Sequence, residues 1–582
     1  MGVSDHERSS VRCGRPSRPP DVPGASTRRA LDDAVATLRS NAGAWHAASP
    51  AVLLGHLDDA RRRFRGVMAS WVDACLQAKG YAPRSSAEAE EWMCAAVVVR
   101  ALRLLRRSVR DLERFGRPRL AGPVTPARDG RAVVRVFPHD LLERLVYRGM
   151  TGEAWLATEA DRGAPFLGRA LGAGAAPASP EVCLVLGAGN ASMLPVVDAL
   201  HQLFVQRRAV VLKLNPLNAY LGPAIEDAFG SLVAAGVLRV VCGGAEVGAY
   251  LTRHDRVDAV HLTGSAKTFE TIVFGGGADG VRRKRSRRPL LEKPFTAELG
   301  NVSPVIVVPG PWTDRDVLDM AEQVATWLVG NAGFACLAPR VLVQHAAWPQ
   351  RQAFVEALTA VLERVPTRPA WYPGAFRTHE RFVAAHRSAW TSGTPPPGHL
   401  PWTLIDDVDA GDADDICFTT EPFCALVSET ALDADDPVAF VAEAVRFANG
   451  TLWGSLCATL VVHPAVARDP ALADAVERAV ADLRYGTVTV NVPTFAAYYL
   501  LTTPWGAHPG HAPWDVQSGI GRSTNLQMLG GVEKSVVRGP FRKAFDPIRV
   551  TAPRAHEVAR SLAYAEADWS TRALARLAWS MA

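Results

Sequence analysis

Cys336 and Glu298 are the two side chains whose surroundings in the sequence suggest chemistry. Cys336 lies in the short segment Asn331-Ala-Gly-Phe-Ala-Cys336-Leu-Ala-Pro-Arg340, and Glu298 opens Glu298-Leu-Gly-Asn301 upstream. A cysteine in one loop and a carboxylate delivered from another make a nucleophile-and-base pair. Thiolate attack on a carbonyl, followed by hydrolysis of the resulting thioester, needs those two groups. A free thiol of pKa ~8.5 is only a few per cent thiolate at neutral pH, so the nucleophile needs help from its surroundings. The nine cysteines, at 13, 75, 94, 183, 242, 336, 417, 424 and 457, form no Cys-x-x-Cys pair. No Cys/His cluster has zinc spacing, and no metal is expected. Buried, reduced thiols in a cytoplasmic protein are the expectation for the others.

The elements that would position this pair are readable from periodicity. Residues 31–115 read as helices: Leu53, Leu54, Leu57, Ala60 and Phe64 fall on one face, and a long helix opens at Ala87 and closes at Gly116. From residue 180 the pattern changes to strands, Val182–Leu186, Ala209–Lys213, Val237–Val241 and Ala259–Thr263, alternating with helices at 193–206, 221–235 and 247–253. Such alternation predicts a parallel, doubly wound sheet that binds ligands at the carboxyl ends of its strands. Residues 275–289, with three glycines and the run Arg282-Arg-Lys-Arg-Ser-Arg-Arg288, read as an irregular insertion. A second α/β unit follows, with a strand at 305–308, a helix at 317–329 and a strand at 341–343, so Cys336 falls on a helix-to-strand loop. One helical segment is expected at 556–581. Gly187-x-Gly189 is an incomplete dinucleotide fingerprint, and reads equally as a tight strand-to-helix turn.

In combination and in order, these motifs resemble the aldehyde dehydrogenase superfamily over roughly residues 180 to 525. The resemblance implies an aldehyde dehydrogenase-like α/β fold of two doubly wound parallel-sheet domains, cofactor-binding and catalytic, with an N-terminal helical region. It implies roles residue by residue. Cys336, in Gly333-Phe-Ala-Cys336, matches the nucleophile, and Glu298 the general base. Asn190 matches the asparagine of the oxyanion hole. Lys213, in Val211-Leu-Lys213, matches the lysine at the adenosine ribose, and Gly264-Ser265 the turn at the pyrophosphate. Glu421 and Phe423, in Glu421-Pro-Phe423, match the pair that holds the nicotinamide ribose. Further matches follow at Asn449–Gly454, Gly486–Asn491, Trp505-Gly506 and Ser518–Arg522. The departures carry expectations too. Pro216 replaces the family's NAD-selective glutamate, and losing a carboxylate there removes repulsion toward a 2′-phosphate, so NADP is expected to be tolerated or preferred beside NAD. Phe269 and Phe334 replace a glycine and a glutamine, Cys424-Ala425 replaces Gly-Pro, and an insertion of about seven residues after Gly506 is expected to alter the substrate mouth.

Composition narrows the rest. The chain has 582 residues, 48% of them hydrophobic, with a formal charge of +5, and a mean hydropathy near zero. No apolar run approaches the ~20 residues of a membrane span. The amino terminus lacks an apolar signal core, and His6 stands where a myristoylation pattern wants Ser or Thr. A nucleic-acid partner is not expected. The expected organisation is a disordered tail over 1–30, N-terminal helices plus a dinucleotide-binding domain over 31–300, a catalytic domain over 301–488, and a return segment with a helical tail over 489–582. The implied function is NAD(P)-dependent oxidation of an aldehyde, a small-molecule substrate, to a carboxylic acid through a cysteine adduct, in a possible homodimer or homotetramer. An acyl-CoA reductase or fatty-aldehyde enzyme and a non-catalytic scaffold are the alternatives. Retention of both Cys336 and Glu298 speaks against the scaffold.

Overall fold

The computed structural model describes residues 24–157, 179–542 and 549–581. Of the tail expected over 1–30, residues 1–23 lie outside the described residues, and helix α1 already begins at Arg28, capped by the Thr27 side chain. Three helices open the described chain: α1 (Arg28–His46), α2 (Pro50–Lys79) and α3 (Ser86–Phe115). Gly80 and Gly116 close α2 and α3 in the left-handed region, at φ 67° and 69°, where a side chain would be strained.

The strands follow in chain order: β1 (Val124–Pro126), β2 (Ala132–Phe137), β3 (Thr151–Leu156), β4 (Val182–Leu186), β5 (Ala209–Lys213), β6 (Leu238–Val241), β7 (Ala259–Thr263), β8 (Phe295–Glu298) and β9 (Pro304–Val307). After them come β10 (Val341–His345), β11 (Trp390–Thr391), β12 (Thr403–Ile405), β13 (Leu426–Leu432), β14 (Cys457–Val461), β15 (Thr487–Val490), β16 (Gly519–Ile520) and β17 (Val532–Arg538). They form two sheets. A six-stranded sheet has the order β16-β8-β7-β4-β5-β6, and an eleven-stranded sheet the order β1-β2-β3-β17-β15-β14-β9-β10-β13-β12-β11. Strands β4 to β8 are mutually parallel, as are β9, β10, β12, β13, β14, β15 and β17. The runs in β4, β5 and β9 are buried throughout, as a sheet covered on both faces requires. The antiparallel strands β1 to β3, although they precede the first sheet in sequence, join the second one through β17.

Register places the chemistry. Leu186 pairs with Lys213 and with Leu262, and Thr263 pairs with Glu298, so β4, β5, β7 and β8 end along one edge. The second sheet presents its opposite ends: β9 starts just after Gly300-Asn301, β10 just after the Cys336 loop, and β13 just after Glu421–Phe423. The carboxyl edge of one sheet therefore faces the amino edge of the other.

Three expectations need correction. The glycine- and arginine-rich segment at 275–289 is not irregular: Gly277–Arg285 is a helix. Gly275, at φ 88°, ends the preceding helix; of the arginines, good helix formers, Arg282 and Arg285 are exposed, Arg283 donates to the Phe274 carbonyl at 3.1 Å, and Lys284 pairs with Glu270 at 2.6 Å. The segment 221–235 breaks at Phe229 into two short helices. The tail is two helices, Ala555–Asp568 and Thr571–Met581, divided at Trp569 with φ 42°.

Candidate active site where two cavities meet

The segment before Cys336 is held in an unusual backbone path. Asn331, Ala332 and Gly333 all have positive φ, at 50°, 54° and 78°. Gly333 is obligatory there, because a Cβ would lie 2.4 Å from the Cys424 carbonyl oxygen. Non-glycine residues in this region cost of order 1–3 kcal/mol each and persist only when neighbours over-determine them. The neighbours are identifiable. Arg340, buried, donates to the carbonyls of Gly333 (2.6 Å), Ala335 (3.0 Å), Cys424 (2.8 Å) and Leu426 (3.3 Å). Asn331 donates from its side chain to the Asn190 carbonyl at 2.7 Å, and its own amide oxygen accepts from Lys79 at 3.0 Å. Its backbone N–H donates to Glu90 at 2.7 Å, and Arg368 holds Glu90 in turn. Lys79 is buried with Glu91, 2.6 Å away. Burial opposes its charge, but Glu91 more than restores it, so the ammonium stays protonated.

Glu298 ends β8 with its carboxylate 3.9 Å from the Cys336 sulfur. Two donors fix it: Trp505 Nε1–H at 2.8 Å and Ser523 Oγ–H at 2.5 Å. Burial lifts its pKa from the usual carboxylate value to about 7, the buried Asp198 adds to the rise, and the two donors oppose it. Such a group is poised to exchange a proton near neutral pH. Burial, with the Glu298 and Glu421 carboxylates, pushes the Cys336 thiol well above its usual range, so it is held protonated until its surroundings change.

Cys336, Glu298 and Asn190 all line two cavities at once. One, of about 740 Å³, runs along the carboxyl edge of the first sheet and is lined also by Lys213, Gly264, Ser265, Glu421 and Phe423. All eight residues singled out from the sequence thus border one space. The other cavity, of about 130 Å³, is lined by Met93, Cys94, Trp327, Phe495 and Tyr498, with the Lys79–Glu91 pair. Asn190 donates from its side chain to the Phe334 carbonyl at 2.9 Å. Gly187 and Gly189 border the larger cavity, and a Cβ on either would collide with Pro195 or Asn215, at 2.6 and 2.7 Å, so both are needed for a tight turn. Ser265 caps the helix Ala266–Phe274, whose N-terminal turn faces the cavity.

The larger cavity fits an elongated polar cofactor. Glu421 Oε1 is buried without a hydrogen-bond partner among the described residues, an acceptor awaiting a hydroxyl. Burial raises its pKa to about 7, with Arg340 and the Asn301 backbone N–H opposing. Lys213, whose pKa is lowered by burial, is drawn electrostatically to Glu246. A carboxylate therefore stands near Lys213 although Pro216 is not one.

The substituted positions have structural answers. Phe269 packs in the core against Phe295, with ring centroids 5.0 Å apart, and does not line the cavity. Phe334 stacks on Tyr372 at 5.6 Å and 28°, within an aromatic group that includes Phe423. The insertion after Gly506 borders neither cavity; its Trp514 instead lies 5.1 Å from the Arg287 guanidinium. Part of the wall of the smaller cavity comes from α3 and from Lys79 of α2, which the motifs did not reach. Ser523, Lys79 and Glu91 are supporting residues that sequence reasoning missed, and the motifs containing Arg340 and Trp505 gave no hint of the roles these two play. Only the rarity of lysine in an arginine-rich chain could have pointed to Lys79.

A two-sheet α/β protein with a thiol and a tuned carboxylate between a nucleotide-sized cavity and a small one defines a class, and comparison with known proteins agrees with it. Residues 181–378 match the aldehyde dehydrogenase family model. Aldehyde dehydrogenase C of Pseudomonas syringae, crystallised with NAD+ and octanal, superposes with a TM-score of 0.60 at 16% identity, covering 90% of this chain and 91% of that one. The NADP-dependent glyceraldehyde-3-phosphate dehydrogenase of Bacillus halodurans, complexed with NADP, gives 0.56 at 16% identity over 88% and 92%. N-succinylglutamate 5-semialdehyde dehydrogenase of Novosphingobium aromaticivorans is 26% identical over 308 residues, 50% of this chain and 58% of the relative. Aldehyde dehydrogenase 1 of Tanacetum cinerariifolium is 33% identical over 27% of this chain and 26% of its own length. The chain thus matches these two curated relatives over only about a quarter to somewhat more than half of their length. Residues 181–378 thus resemble the aldehyde dehydrogenase family, and the fold over most of the chain is that of its solved members.

Proposed function

We propose that this protein oxidises an aldehyde to a carboxylic acid with NAD or NADP, through a covalent adduct on Cys336. The observation that carries the reading is the position of Cys336 and Glu298, 3.9 Å apart, at the junction of the two cavities. In this reading the aldehyde enters the smaller cavity and the cofactor lies in the larger one. With its proton passed to solvent by way of Glu298, 3.9 Å away, Cys336 adds to the carbonyl carbon as the thiolate, and the backbone N–H of Cys336 with the Asn190 amide stabilises the oxyanion. Losing one such donor typically costs ~10²–10³ in rate. Nicotinamide held by Glu421 and Phe423 would supply the hydride acceptor that oxidation of the adduct to a thioester requires. Glu298 then removes a proton from the attacking water, the acid departs, and Cys336 returns to its thiol form. Lys213, Gly264 and Ser265 would hold the adenosine end, and Glu421 and Phe423 the nicotinamide ribose.

Size supports a short substrate. About 130 Å³ is small beside the roughly 300–1,000 Å³ of drug-sized pockets, and its apolar wall favours a chain of few carbons. That weighs against the fatty-aldehyde alternative. The test is near-ultraviolet absorbance of the reduced nicotinamide with a short-to-long aldehyde panel, NAD and NADP in parallel. Reduction that favours short aldehydes and vanishes in Cys336→Ala supports the reading. Silence across the panel, with reverse oxidation of NADPH by an acyl-CoA, would replace it with thioester reduction.

A further inference from the structure

A second chemical cluster lies away from Cys336, outside the lining of the larger cavity. His386 follows the helix Ala375–Ala385, Asp415 caps the short helix Ile416–Thr419, and Cys417 sits in that helix. Their ligand atoms all lie within 4.8 Å of one another, and among the described residues no other His/Cys/Asp/Glu group of three or more does so. His386 Nε2 stands 3.1 and 3.2 Å from the two Asp415 oxygens and 3.6 Å from the Cys417 sulfur. An imidazole nitrogen, a carboxylate and a sulfur, three metal-ligating groups, thus converge on one point.

The spacing fits a definite ion. With Zn–N and Zn–O bonds of roughly 2.0–2.1 Å and a Zn–S bond of roughly 2.3 Å, tetrahedral geometry sets N···O and N···S edges of about 3.3 and 3.5 Å. The observed 3.1 and 3.6 Å need little adjustment. Thiolate, imidazole and carboxylate together favour zinc over magnesium or calcium. Cys417 is buried, while His386 and Asp415 keep 18% and 14% side-chain exposure, which leaves a way in and a fourth position for water. Linear spacing hides the group, since His386 lies 31 residues before Cys417.

We propose that His386, Asp415 and Cys417 bind a structural zinc ion that staples the helix Ala375–Ala385 to the turn leading into Glu421 and Phe423. Both stapled elements line the larger cavity, through Ala375 and Thr378 on one side and Glu421 and Phe423 on the other. The inference stands independently of the enzymatic reading, because binding and thermal stability read it without any turnover.

The test uses the full chain, stripped with a chelator and titrated with Zn²⁺ against a chromophoric competitor. Wild type and Cys336→Ser should each take up one zinc and melt at higher temperature with it. Cys417→Ser and His386→Ala should bind at least about 100-fold more weakly and lose the zinc-dependent rise in melting. Co²⁺ serves as a probe that does not depend on those two variants folding. A tetrahedral cobalt spectrum with a thiolate charge-transfer band, retained in Cys336→Ser, places the ion at Cys417. The proposal is overturned if the stripped wild type takes up no zinc, if the Cys417→Ser and His386→Ala variants bind it as tightly, or if the cobalt band disappears with Cys336→Ser.

Discussion

Glu298 is useful only because its environment is divided. Burial and Asp198 push its pKa up, while Trp505 and Ser523 stop the rise at about 7. The sign of the pH dependence follows. A base of pKa about 7 is protonated and idle below that pH, so hydrolysis-limited turnover should fall about tenfold per unit below 7 and level off above it. Ser523→Ala removes a donor to the carboxylate, which favours the protonated form. Its pH–rate profile should move to higher pH and its rate at pH 6 should drop several-fold beyond the wild-type loss. A profile that does not move would mean that Ser523 does not tune the base. Glu246 makes the second prediction at this scale. A carboxylate that attracts Lys213 also repels a 2′-phosphate bound there. In Glu246→Gln the ratio of kcat/KM for NADP over NAD should rise several-fold, and an unchanged ratio would remove Glu246 from cofactor selection.

At the scale of elements, the loop carrying Cys336 is shaped from outside itself. Its left-handed residues are fixed by Arg340 from its own far end and by Lys79, at the last turn of α2. Lys79→Met would leave Glu91 buried without its cation, a change that typically costs about 3–5 kcal/mol. Denaturant unfolding should show that loss, together with weaker activity because Asn331 loses its anchor. A stability change under about 1 kcal/mol would contradict the buried pairing. This division explains what was legible in the sequence. Strands β4, β5 and β7 run over the predicted residues, because continuous apolar runs bounded by glycine, proline or charge leave few alternatives. The eight candidate residues each lie within a short motif, which is why the sequence singles them out, and they border one cavity. Trp505 and Ser523 were not, because they reach Glu298 across 207 and 225 residues and no local pattern announces a tertiary contact. The helix at 277–285 was missed because glycine and charge suggested a loop, whereas arginine and lysine support a solvated helix.

For the whole molecule, the tail that carried no readable chemistry has a structural role. The helix Ala555–Asp568 packs along α3, and its buried Glu566 accepts from Arg100 at 2.8 Å and from Arg103 at 2.9 Å. Glu143 shares both arginines, and Tyr147 donates to Glu566 at 2.8 Å. The network binds the end of the chain to the helix whose residues Met93 and Cys94 wall the smaller cavity. Glu566→Ala leaves two buried guanidinium groups against one carboxylate, and should cost at least about 3 kcal/mol in unfolding free energy. A variant as stable as wild type would show the tail to be dispensable.

In the proposed reaction Cys336 carries the acyl group and Glu298 releases it. The most direct measurement is rapid-mixing absorbance of the reduced nicotinamide with Glu298→Gln, a short aldehyde and saturating cofactor. One equivalent of reduced cofactor per Cys336 should appear in a fast burst, then near-arrest, with a stable thioester on Cys336 detected by mass spectrometry. Steady turnover at the wild-type rate, with no covalent adduct, would contradict it.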